Sequence, residues 1–339
     1  MYIPDYFEFC CRVKIVAGHD GLEQIPSLLA AMDASAPMII TDKGVRAAGL
    51  VDVVEDALGG NLTIPTIEDD VPPDSDLNVV NRLADVYREK GCDAIIAVGG
   101  GSVLDTAKGI NILVSEDSDN LMEFTGAGAL KRPLRPLIAV PTTAGTGSEV
   151  TLVAVIADHA NNRKMLFSSY FLLPDAAVVD PRMTLTLPPH ITAATAMDAM
   201  AHSVESTVMM SKNPLSDAHA REAMSLISNN LVSVIKNPSD KDGRLALATA
   251  ATMAGIAFSN AMVGMVHAIG HSVGSVCHVP HGTCMAILLP YGLEYNLHKA
   301  EDRIADLLLP LAGPEAVVST PADKRARAAI DWIREFNKE

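Results

Sequence analysis

Asp93-Ala94-Ile95-Ile96-Ala97-Val98-Gly99-Gly100-Gly101-Ser102-Val103-Leu104-Asp105-Thr106-Ala107-Lys108 is the stretch on which the fold turns. Asp93 to Val98 is continuously apolar rather than alternating, the pattern of a parallel strand covered on both faces. From Val103 to Val114, Leu104, Ala107, Ile110 and Leu113 recur at helical spacing. Working outward, Pro37 to Thr41 and Leu137 to Val140 repeat the buried-strand pattern, and Leu77 to Lys90 sets Val80, Leu83 and Tyr87 along one helical face. Strands alternating with helices predict a doubly wound, mostly parallel sheet, an α/β N-terminal domain over residues 1–185. After Leu187-Pro188-Pro189 the chain becomes Ala-, Met- and Leu-rich at helical spacing, with breaks at Asn213-Pro214 and Asn237-Pro238. An all-α helical domain is expected over residues 186–339.

Composition narrows the partners. The chain has 339 residues, too many for one ordinary core, and 49% of them are apolar, which sets disorder aside. Acidic residues outnumber basic ones, 41 to 26, so neither nucleic acid nor an anionic membrane is an expected partner, and a small molecule is. Five cysteines (Cys10, Cys11, Cys92, Cys277, Cys284) form no regular framework, which fits a reducing compartment. Met-Tyr-Ile-Pro-Asp at the start has no basic stretch followed by an apolar core, and the most apolar segment, Ala261 to Val276, is interrupted by His267 and His271. These features predict a cytoplasmic protein.

Two loops follow predicted strands. Gly99-Gly100-Gly101-Ser102 opens a helix, so bare amides at its N-terminus can meet a phosphate; a tight turn accounts for the glycines equally well. Pro141-Thr142-Thr143-Ala144-Gly145-Thr146-Gly147-Ser148 adds hydroxyl donors. Together the loops favour a nucleotide, because ligands of open α/β sheets bind at the carboxyl edge of the strands. Asp42, ending the first strong strand, fits either a ribose acceptor that repels a 2′-phosphate or a helix N-cap before Lys43-Gly44.

The helical half carries Asp198 and His202, four apart in an otherwise Ala- and Met-rich helix, so both side chains share a face. A carboxylate in such company is costly unless a cation or metal meets it. His267 and His271 repeat the spacing, and His278 and His281 follow shortly after, so four of the ten histidines fall in one apolar segment. Imidazole and carboxylate donors without thiolate suit Fe(II) or Zn(II). A rival grouping, Cys277, His278, His281 and Cys284, has the donors of a closed structural zinc site.

The run Gly99 to Lys108, the Pro141 to Thr151 loop, the Asp198/His202 helix, and His267-Ala268-Ile269-Gly270-His271 through Pro280-His281-Gly282 together resemble the iron-containing (group III) alcohol dehydrogenases, in order from near residue 10 to about residue 300. The resemblance implies hydride transfer between NAD(H) and a small primary alcohol or aldehyde, with the alkoxide bound to a divalent metal. It implies Asp198, His202, His267 and His281 as metal ligands and His271 as a non-ligand proton relay. It further implies Asp42, Gly99, Gly100, Gly101, Ser102, Thr142, Thr143, Gly145, Thr146 and Lys164 as cofactor contacts, Phe258 at the substrate end, and a dimer or higher homo-oligomer. Glycerol dehydrogenase-like and dehydroquinate synthase-like enzymes share the architecture, as would a non-catalytic nucleotide- or metal-binding relative. Members continue for several helices past the point matching Ile333-Arg334-Glu335-Phe336, so the resemblance also predicts apolar surface left uncovered near Glu339, with self-association or lower stability as the consequence.

Overall fold

The apolar run at Asp93 becomes the centre of a sheet. A computed structural model of the protein describes residues 3–60, 62–161 and 163–339. They form two units: Cys11–Thr143 with Ser148–Thr186, and Leu187–Glu339 with Ala144–Gly147 and the chain just before Cys11.

The first unit contains the strands β1 (Lys14–Ala17), β2 (Pro37–Ile40), β3 (Thr66–Glu68), β4 (Ala94–Gly99), β5 (Gly126–Ala127), β6 (Leu137–Pro141), β7 (Val153–Asp158), β8 (Arg163–Ser168) and β9 (Ala176–Val179). Six of them make one all-parallel sheet in the order β1-β9-β6-β4-β2-β3. The short sheet β5-β8-β7 stands apart, with β7 and β8 antiparallel. The strand period of two decides where each side chain goes. Ile40, Ile95 and Ala97 enter one core with Val80, Leu83, Leu104 and Ile110, whereas Ile39, Ala94, Ile96 and Val98 enter another with Ile25, Leu28, Leu50 and Val54. Helices α1 (Ile25–Ala31), α3 (Leu50–Leu58), α4 (Leu77–Glu89) and α5 (Gly101–Glu116) supply those partners, and α2 (Lys43–Ala47) adds the partly buried Val45. Burial on both faces is why the strands read as unbroken apolar runs, and the doubly wound fold is the one predicted.

Gly99 belongs to β4 rather than to the turn after it, paired with Pro141 of β6. A Cβ there would stand 2.4 Å from Val103 Cγ2, so the first turn of α5 packs directly on the strand end.

The second unit is helical: α6 (Pro189–Val208), α7 (Pro214–Lys236), α8 (Lys241–Ala261), α9 (Met265–Cys277), α10 (His281–Ala305), α11 (Leu308–Ser319) and α12 (Arg325–Phe336). The Asn-Pro break seen in the sequence starts α7: the Asn213 side chain accepts from Leu215 N and Ser216 N, and Ser216 Oγ accepts from Asn213 N. In α6 every residue from Ala196 to Thr207 is buried, so the helix runs through its unit's core and any polar side chain on it must find a partner there. Among the described residues no single helix is long and apolar enough to cross a membrane; α8 and α9 are bent by 108° at the break between them.

Candidate functional site

In the helical unit, three helices bring one carboxylate and three imidazoles together. Asp198 and His202 lie on α6, His267 is the third residue of α9, and His281 is the first of α10. Asp198 Oδ1 faces His281 Nε2 at 3.2 Å, His267 Nε2 at 3.6 Å and His202 Nε2 at 3.9 Å. Donor atoms of Asp198, His267 and His281 all fall within 4.8 Å of one another, a group that does not include His202. The approach of α10 to α6 depends on Gly282, where a Cβ would lie 2.0 Å from the Ala194 carbonyl oxygen. Phe258 stacks on His202 at 4.2 Å between ring centroids, and His202 stacks on His267 at 4.4 Å, so a column of rings holds the second α6 donor. His271, exposed, stacks on His281 at 5.0 Å. Burial pushes the Asp198 carboxyl up, but the three facing imidazoles outweigh it and hold the group well below the usual carboxylate range. Burial pushes His202 down to about 3, so this ring is neutral. It works the same way on His267, where Asp198 and Glu205 prevail and hold the pKa at about 9.

Among the described residues, Asp198 Oδ1 and His267 Nε2 are both buried without a hydrogen-bond partner, as is His202 Nδ1. Unmade hydrogen bonds on buried atoms cost about 1–3 kcal/mol each. A divalent cation among these atoms would remove two of those penalties, and hard oxygen with imidazole nitrogen is a donor set that Fe(II) and Zn(II) accept. The residues therefore fit a metal.

Glu205 was not singled out from the sequence. It lies seven residues after Asp198 on α6 and is 3% exposed, with His267 Nδ1 at 2.6 Å from its Oε2. The signal was present: Asp198, His202 and Glu205 follow one another at i, i+4 and i+7, the repeat of a single helix face.

In the sheet unit, Thr142 N donates to Gly99 O at 3.1 Å and so ties the two predicted loops together. Gly100 is the N-cap of α5, and Thr143 Oγ1 would lie 3.3 Å from a Cβ placed there. Ser102 Oγ accepts from Asp74 N at 3.1 Å, and Lys164 Nζ reaches the Asp74 carboxylate at 3.1 Å. Asp42 caps α2, its Oδ1 accepting from Val45 N at 2.9 Å. Gly145 and Thr146 group with the helices instead, Gly145 lying so near α6 that a Cβ would sit 2.8 Å from Thr195 Cβ.

Lys108, last in the opening motif, is 1% exposed and faces Ser148 Oγ, Thr151 O, Thr151 Oγ1 and Val153 O at 2.8–3.1 Å. Burial pushes its pKa down to about 8 against the pull of Asp105 and Glu149. Asp105 accepts from Ser148 Oγ at 2.7 Å and from Val155 N at 2.9 Å. The pair thus fastens α5 to the segment that follows the second loop.

Residues 13–181 match the family model described as iron-containing alcohol dehydrogenase, and residues 192–339 match the C-terminal model of the Fe-containing alcohol dehydrogenase family. The chain is 34% identical over 324 residues to an NAD-dependent methanol dehydrogenase of Bacillus methanolicus, covering 95% of this chain and 84% of that protein. It is 40% identical over 297 residues to a 1,3-propanediol dehydrogenase of Klebsiella pneumoniae, covering 86% and 76%. A crystal structure of a 1,3-propanediol oxidoreductase superposes with a TM-score of 0.94 at 32% identity, over 98% of this chain and 86% of the other.

Proposed function

Because the chain belongs to the iron-containing alcohol dehydrogenase family, we propose that it is a metal-dependent oxidoreductase transferring a hydride between NAD(H) and a small primary alcohol or aldehyde. The observation that carries this reading is Asp198 Oδ1: buried, without a hydrogen-bond partner among the described residues, and faced by three imidazole nitrogens.

Asp198, His202, His267 and His281 would hold the ion, Fe(II) first and Zn(II) as the alternative, since both accept these donors. Such an ion supplies Lewis-acid chemistry, lowering the pKa of a hydroxyl or polarising a carbonyl, and the nicotinamide supplies or receives the hydride. The chain's own residues do the rest. Neutral His202 keeps one ring nitrogen with a lone pair to offer, its ring stacked on Phe258, and the same Phe258 ring would line the substrate end. His271, exposed beside His281, is suited to pass the alcohol proton to solvent, with an imidazole nitrogen as the carrier. Gly99, Gly100, Gly101, Ser102, Thr142, Thr143, Gly145 and Thr146 would contact the cofactor phosphates and nicotinamide, with Asp42 at the ribose and Lys164 as a further contact. A division at residues 185 and 186, a cytoplasmic setting and a dimer or higher assembly complete the reading.

Metal analysis of the purified protein, combined with NADH oxidation against a panel of aldehydes, tests the proposal. His202→Ala is expected to lose both metal and turnover while still binding NADH. Full metal content and rate in that variant would overturn the ligand set.

A further inference from the structure

Glu205 is 3% exposed and reaches across from α6 to the start of α9. Oε1 accepts from Val266 N at 2.8 Å; Oε2 accepts from His267 N at 3.3 Å and meets His267 Nδ1 at 2.6 Å. Gly264 makes this reach possible, because a Cβ there would stand 2.7 Å from Glu205 Oε1. A buried ionised carboxylate is costly unless its lone pairs are occupied. Two helix-terminal amides occupy some of them, but the shortest contact is to the ring.

The ring has two nitrogens with different tasks. With a cation bound, a proton held between Nδ1 and Glu205 would leave Nε2 as the lone-pair donor, and Nε2 is the buried atom, unpartnered among the described residues, that points toward Asp198 at 3.6 Å. His202 is the contrast. Among the described residues its Nδ1 is buried with no hydrogen-bond partner, and its ring stacks on Phe258 and on His267. Of the two buried imidazoles, one is therefore aimed by packing and the other by a carboxylate.

The geometry points to Glu205 as a positioning residue that fixes the ring and tautomer of His267, so that Nε2 is presented to a divalent cation shared with Asp198. This inference rests on the metal-site reading above. Its cap contacts make the same carboxylate set the start of α9, which couples the helix position to the donor position.

Titration of metal-stripped protein with Co(II), followed by the visible absorption of the bound ion, tests it alongside thermal unfolding of the metal-free forms. Glu205→Ala is expected to weaken Co(II) binding roughly 10- to 100-fold and to change the visible bands, the range typical of lost partners behind a metal ligand. Glu205→Gln retains one carbonyl acceptor for Nδ1–H and is expected to recover part of that loss. Wild-type affinity and spectrum in both variants, with only the melting temperature lowered, would reduce Glu205 to a helix cap and overturn the inference. Should the alanine variant not fold, the glutamine variant decides alone: weakened binding with altered bands supports positioning, and unchanged binding overturns it. His202→Ala, titrated in parallel, separates the two levels. Unchanged Co(II) binding there would bring down the metal site itself, whereas loss of binding there, with none in the Glu205 variants, would bring down only the positioning role.

Discussion

Asp42 poses the sharpest question at the scale of single residues, because one oxygen already has a task. Oδ1 caps α2 through Val45 N, so the capping reading describes the fold whether or not a ribose is also held. Replacing Asp42 with Ala removes a cap, at a cost of about 1 kcal/mol. If the carboxylate also repels a 2′-phosphate, the NADH-over-NADPH preference should narrow or reverse in the same variant. Thermal unfolding and the ratio of kcat/KM for the two cofactors check this together, and lower stability with an unchanged ratio would leave Asp42 as a cap alone. Asp198 with His202 was legible because an acid and a histidine four apart share one face of an apolar helix, where burial without a cation is costly. Glu205 was harder to read, since its partners Val266 and His267 are some sixty positions away and only the folded chain brings them together.

Elements decide how closely those residues can approach. An alanine at an open helical position is better than glycine by roughly 1 kcal/mol. At Gly282 the sign reverses, because the added carbon meets the backbone oxygen of Ala194 at 2.0 Å, and backbone cannot swing aside as a side-chain tip can. Gly282→Ala should destabilise by about 1–3 kcal/mol, as overpacking does, and should displace His281, so metal content falls as well. A variant with wild-type melting and full metal would show that α10 has room to spare. On the sheet side, Lys108 ties α5 to the segment after the second loop, and its pKa near 8 gives that tie a pH dependence. The folded state binds this proton less well than the unfolded chain, so between pH 8 and about 10.5 unfolding takes up a proton and stability rises with pH, by up to about 3 kcal/mol. Urea unfolding across that window should show the rise in wild type and a flatter profile in Lys108→Met; equal slopes would mean that Lys108 stays charged when folded. The strands were legible because burial on both faces leaves an unbroken apolar run. The displacement of Gly99 into β4 was not, since the pairing with Pro141 depends on a strand some forty residues later.

At the scale of the whole molecule, the metal donors and most of the expected cofactor contacts belong to different units of the chain. Asp198, His202, His267 and His281 all lie in the helical unit, while Asp42, Gly99 to Ser102, Thr142, Thr143 and Lys164 lie in the sheet unit. An ion bound only by the folded state stabilises it by about 2.7 kcal/mol at a hundredfold excess over its dissociation constant. That stabilisation enters through α6, α9 and α10, the three helices whose donors converge on Asp198. A chelator should therefore lower the melting temperature by several degrees, with readdition of Fe(II) or Zn(II) restoring it. NADH binding, read by cofactor fluorescence, should change little, because the sheet's loop contacts and the Lys108 tie involve none of the four donors. Hydrogen exchange should locate the effect, with faster exchange after chelation concentrated in α9 and the first turns of α10 and slow exchange kept in β2, β4 and β6. A chelated protein with unchanged melting, or one whose central sheet loses protection while α9 does not, would show that the ion is not held where the four donors converge.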